Sequence, residues 1–187
     1  MSESLRGRTL VAAPHLSDPN FRRAVLLVAS HDGDGALGLV LDRPTDVDVV
    51  DLLPDWAPVI VDPPQAFVGG PVQQEVAVGV GRLRAGATPP GGDTWTGIAE
   101  RVGLLDLGSE DPTAVDAVEA VRVFSGYAGW GPSQLDEEVA AGDWFVVPFH
   151  PDDPFRSDVT GLWRRVLARQ PGRLALFSHF PDEPRWN

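Results

Sequence analysis

Residues 23–41, RAVLLVASHDGDGALGLVL, decide the fold class. Two apolar runs, Arg23 to Ala29 and Ala36 to Leu41, flank His31-Asp32-Gly33-Asp34-Gly35, where glycine and aspartate tolerate the positive φ of a tight turn. That arrangement predicts a β-hairpin. Upstream, Thr9 to Ala13 has the same Val, Leu and Ala character and reads as a further strand. Pro14 to Phe21 joins the two strands with Asp-Pro turn chemistry.

Downstream, strand and helix signals mix without a regular βαβ alternation. Thr45 with Asp48 resembles a capping box, and Val47, Val50 and Leu53 follow at helical spacing before Pro54, which predicts a short helix. Ala66 to Val68 leads into Gly69-Gly70-Pro71, a backbone turn, and Glu75 to Leu83 reads as a strand. Arg84 to Asp93, rich in proline and glycine, is expected to be an exposed loop and the best place for local disorder. Trp95 to Leu107 carries strand material, Asp111 to Val118 a short helix opened by Asp-Pro, and Ala120 to Phe124 a buried strand. Gly126 to Gly131 reads as a glycine loop before a helix that has Pro132 at its first position, Leu135 and Val139 stacked, and Gly142 beyond its end. Trp144 to Val147 is a strand, Val159 to Arg169 the longest helix candidate, and Leu174 to Phe177 a final strand. The expectation is one α+β domain over residues 1–187, without repeat or linker.

Composition removes several chemistries. No cysteine means no disulfide, thiolate nucleophile or cysteine-ligated zinc, and with no lysine a Schiff base and a P-loop lysine are both excluded. The net charge of −12 opposes nucleic-acid binding, because phosphate neutralisation supplies most of that affinity. No apolar stretch approaches the ~20 residues of a membrane span, and Met1 to Arg8 lacks a signal-peptide pattern, so a cytoplasmic protein is expected.

Each candidate site has a structural reading beside the functional one. The Gly126-Tyr127-Ala128-Gly129-Trp130-Gly131 loop could offer amides to an anion, but Pro132 removes one and Asp136, Glu137 and Glu138 repel the ligand. The preferred reading is a tight turn in which Tyr127 and Trp130 pack. His31, Asp32 and Asp34 fit a hairpin turn better than a metal site, and His150, Asp152 and Asp153 fit a solvated loop. No metal or cofactor is expected. Arg164, Arg165 and Arg169 form the one basic helix face, read as its wet side.

Taken together, APHLSDPNF from Ala13 to Phe21, His31-Asp32, GALGLVL from Gly35 to Leu41, Arg43-Pro44, Gly69-Gly70-Pro71-Val72 and Gly126-Tyr127-Ala128-Gly129-Trp130-Gly131-Pro132 with Gln134-Leu135 resemble the YqgE/AlgH family. With Trp144 and Trp163 they span about Gly7 to Leu167. The resemblance implies an α+β fold in which a bent mixed sheet curls into a pseudo-barrel with helices packed outside. The family's label of transcriptional regulator reflects a regulatory phenotype more than a DNA-binding module. Asp42 stands where the family usually has Asn, and Ser133 where it usually has Gly.

These readings point to a non-catalytic cytoplasmic protein that binds a protein partner, or secondly a small molecule, with a regulatory outcome. The surface expected to do so comprises Arg43, Gly69, Gly70, Tyr127, Trp130 and Gln134, since glycine lets a partner approach the backbone. An enzyme alternative, a hydrolase or transferase, draws on His15, His31, Asp42 and Arg43, and is favoured by a cleft that holds at least two of them with perturbed pKa values. A directly DNA-binding regulator requires a contiguous basic surface.

Overall fold

Alternating side chains on three adjacent strands bury both faces of a mixed sheet, and this places the helices. The computed structural model describes residues 3–111 and 113–182. The strands are β1 (Arg8–Ala12), β2 (Val25–Asp32), β3 (Gly35–Val40), β4 (Pro44–Asp48), β5 (Gln65–Val68), β6 (Val72–Leu83), β7 (Trp95–Ala99), β8 (Val102–Leu105), β9 (Val118–Trp130) and β10 (Trp144–Pro148). The helices are α1 (Ala114–Ala117), α2 (Gln134–Ala141), α3 (Leu162–Ala168) and α4 (Leu174–Phe177). The main path runs β10-β1-β2-β3-β9-β6-β8-β7 without closing on itself, and β4 and β5 branch from β9 through the parallel β5–β9 pair. The result is an α+β fold with a mixed sheet and flanking helices, as the sequence predicts.

The hairpin forms with Asp32 opposite Gly35, and Asp32 Oδ1 accepts from the Asp34 N–H at 2.9 Å across the turn. Val11, Val25, Leu27, Leu39 and Leu41 join the core that contains Leu162, Trp163 and Val166 of α3. Leu10, Ala12, Leu26, Val28 and Val40 point the other way, into the core that holds Leu135 of α2 with Trp130 and Trp144. Period-two alternation thus serves two cores at once.

Strand β9 is the spine, pairing with β3, β5 and β6. Its Arg122 is buried, with its guanidinium 4.4 Å over the Phe67 ring, and donates to the carbonyls of Val61, Asp62, Pro63, Pro154 and Arg156. Burial pulls its pKa down to about 10. One side chain therefore ties two loops to the middle of the sheet.

Four local expectations are corrected. Residues 45–48 are strand rather than helix, because Thr45 Oγ1 donates to Ala66 O at 2.8 Å and accepts from the Val47 N–H at 3.1 Å, while Asp48 Oδ1 accepts from Val50 at 2.9 Å. Such i to i+2 bonds compete with helix formation. Gly126 to Trp130 is the end of β9 rather than a loop, and a Cβ on Gly126 would lie 2.6 Å from Val72 O and 2.8 Å from Gly70 O, so glycine here marks close backbone approach. Leu174–Phe177 is a helical turn, not a strand, since a four-residue apolar run does not distinguish the two. Finally, α3 begins only after Gly161, whose φ of 71° ends the preceding loop, and is shorter than α2.

Residues 84–91 run as a largely exposed loop into the 3-10 turn Gly92–Thr94. Pro112, expected to open a helix, and residues 183–187 of the expected polar tail lie outside the described residues.

Candidate functional site

The loop that leaves β3 turns at Leu41 to Pro44, and this brings Asp42 and Arg43 to the floor of two adjoining clefts. One, about 320 Å³, is lined by Pro19, Asn20, Val40, Pro44, Val68 and Gly70 in addition to this pair. The other, about 230 Å³, adds Arg23, Thr160, Trp163, Arg164 and Asp182. The Asp42 side chain is only 7% exposed. Arg43 Nη1 lies 2.8 Å from Asp42 Oδ1, an ion pair that neutralises the buried carboxylate. Burial pushes the Asp42 carboxyl up to about 6, against the opposing pull of the Arg43 charge and the Val25 backbone N–H. Arg43 is fixed from its other end by donating through Nη2 to Arg22 O at 2.6 Å.

Of the residues singled out from sequence, Arg43 and Gly70 meet at this site. Gly69 stands beside it, donating to Ser125 O and accepting from Val40 N at 2.9 and 2.8 Å, and Tyr127 is the backbone against which Gly70 packs. Trp130 and Gln134 do not line either cleft. They belong to a separate network in which Glu138 Oε2 accepts from the Trp130 and Trp144 indoles at 2.9 and 2.8 Å, and Glu138 Oε1 accepts from Gln134 Nε2 at 2.9 Å. Gln134 Oε1 also accepts from the Gly131 N–H at 3.0 Å, closing the first turn of α2.

The four residues of the enzyme alternative do not converge. His15 pairs with Asp143 at 3.1 Å, while His31 accepts from the Leu5 N–H through Nδ1 and sits 3.6 Å from Asp136. Only Asp42 and Arg43 share a cleft. The basic helix face is likewise not free: Arg164 meets Asp182, Arg165 meets Asp158, and Arg169 forms a bidentate pair with Asp153. Asp153 is itself 1% exposed, which corrects its reading as a solvated loop residue.

Sequence reasoning missed the cluster of Arg23, Arg164 and Asp182 in the second cleft, to which Arg22 adds a bond to the Asp182 carbonyl. The Arg22-Arg23 doublet was the one visible signal. That Arg23 adopts φ 54°, and that residues 180–182 return to it, is decided only by the folded chain. A larger cleft, about 500 Å³, lies between Leu52, Leu53 and Trp56 on one side and Glu110, Asp111 and Val115 on the other. It contains none of the predicted residues.

Residues 9–175 match the family model described as AlgH-like, a span that contains the motifs from Ala13 to Trp163. The chain is 47% identical to a UPF0301 protein of Streptomyces coelicolor, over 98% of this chain and 96% of that protein. It is 38% identical to a UPF0301 protein of Nocardia farcinica, over 97% and 85% of the respective lengths. Among solved structures it is similar to protein DIP2367 from Corynebacterium diphtheriae, with TM-score 0.87 at 34% identity, covering 96% of this chain and 94% of that one. The solution structure of the AlgH protein from Pseudomonas aeruginosa, at 23% identity and TM-score 0.69 over 98% and 100% of the two chains, shares the fold.

Proposed function

The chain belongs to the AlgH-like family, and from that premise we propose that it is a non-catalytic cytoplasmic protein that acts by binding, first of all another protein, with a regulatory outcome. The observation that carries this reading is the buried Asp42–Arg43 ion pair, which lines two adjoining clefts.

A hydrolase or transferase would use the same carboxyl, which burial raises to about 6. It would need a base or nucleophile beside it, and neither His15 nor His31 lines either cleft. A DNA-binding role would need free cations where Arg164, Arg165 and Arg169 are paired with acids.

The test is affinity capture from native lysate with the wild-type chain and Arg43→Ala in parallel, followed by mass spectrometry of proteins and metabolites. A protein recovered by the wild type and lost with Arg43→Ala supports the reading. Recovery of a metabolite alone, turned over on incubation, overturns it.

A further inference from the structure

In a chain of net charge −12, three arginines meet at the edge of the second cleft, and the anion between them comes from the chain's own tail. Arg23 Nη1 and Arg164 Nη2 lie 3.0 and 2.9 Å from Asp182 Oδ1. Arg23 Nη2 also donates to the carbonyls of Phe180 and Pro181, Arg22 Nη2 to that of Asp182, and Arg164 Nη1 to that of Ser178. Residues 178–182 are thus held through backbone carbonyls and one carboxylate, groups that any acidic peptide segment presents.

The two sides of this contact are built differently. Arg23 is 18% exposed, adopts φ 54°, and lays its guanidinium 4.5 Å over the ring of Trp163, whose indole N–H donates to Ala12 O at 2.8 Å. Stacking on a buried aromatic orients the cation before any anion arrives. Burial and the neighbouring charges of Arg164 and Arg22 pull the Arg23 pKa down, with Asp182 acting in the opposite direction, so the cluster favours an anionic occupant. Asp182 is 76% exposed and supplies the one carboxylate of the contact. The arginines belong to the fold, whereas the carboxylate reaches them from the solvent side.

We propose that Arg22, Arg23 and Arg164 form a docking site for an acidic peptide segment of a partner protein, which Phe180–Pro181–Asp182 of this chain occupies in cis until the partner displaces it. The proposal rests on reading this face as a partner surface, and it names the partner's chemistry. The tail competes because its effective concentration is high, about millimolar for a short tether.

The test uses the full chain and a fluorescein-labelled, acetylated peptide of residues 177–182, FSHFPD, followed by fluorescence anisotropy. Asp182→Asn is expected to bind the peptide about tenfold more tightly than the wild type, because the cis competitor is weakened. Arg164→Gln added to Asp182→Asn should remove that gain, with thermal unfolding checking that the double variant folds. Independently of that variant, binding to Asp182→Asn should weaken with added salt, and the peptide FSHFPN should bind poorly. Equal affinity for the wild type and Asp182→Asn, equal binding of FSHFPN, or displacement by equimolar inorganic phosphate overturns the proposal. A protein captured through Arg43 alongside a negative peptide result leaves the partner surface standing and removes this site; the reverse pair of results keeps the site and removes the broader reading.

Discussion

The indole Nε1 of Trp130 donates to Glu138 Oε2 at 2.9 Å. That bond assigns the aromatic of the glycine motif to the scaffold. Trp130 is 6% exposed and lies edge-on to Trp144 at 6.2 Å, and both indoles end on the same carboxylate oxygen of α2. The motif therefore locks a helix to the end of β9, while the buried Asp42–Arg43 pair lines the clefts from the loop after β3.

Replacing Glu138 by Ala leaves two indole N–H groups without their acceptor. The expected cost is about 2–4 kcal/mol of stability, with a shift in tryptophan emission, and Glu138→Gln should cost less because one acceptor oxygen remains. Urea denaturation followed by fluorescence measures both. Stability unchanged in the Ala variant would show that the carboxylate does not hold this corner together.

Gly70 tolerates no side chain. A Cβ there would stand 2.1 Å from the Tyr127 carbonyl carbon and 2.2 Å from the Ala128 nitrogen, both backbone atoms that cannot swing away. Gly70→Ala is expected to destabilise by about 3 kcal/mol or more. Gly33→Ala, at a position with nothing within 4 Å, should be close to neutral. Comparable midpoints for the two variants in a denaturation series would contradict this account.

Asp42 should make stability fall as pH rises through its titration. Its carboxyl is raised from 3.8 to about 6 in the folded chain, so between those values the native state holds a proton that the unfolded chain has released. The protonated, folded form is favoured below that window, and ionisation above it costs on the order of 3 kcal/mol. Asp42→Asn removes the titration. The stability difference between variant and wild type should move in favour of Asn from pH 4 to pH 7 and then level off. Parallel curves from chemical denaturation across that range would refute the shift.

Much of the hairpin was legible because its signals are local. Asp32 and Gly35 form the turn that their residue types favour, and alternation from Val25 to Leu41 carries the register. The glycine segment Gly126 to Gly131 was misleading for an equally physical reason. Glycine signals permitted backbone geometry without saying whether the use is a turn or a strand under close approach, and here Gly70 and Val72 supply the approach. Leu174 to Phe177 was ambiguous at its length.

The sequence by itself determined the mixed strand-and-helix architecture, the absence of thiol and lysine chemistry, and the motifs of the family, since each follows from residue identity and short-range pattern. Only the tertiary structure decided that Arg43 and Gly70 share a cleft while Trp130 and Gln134 face Glu138. It also decided that Asp182 returns across 159 positions to Arg23. Such partnerships join residues that are distant along the chain, and they exist only once burial has fixed which side chains face one another.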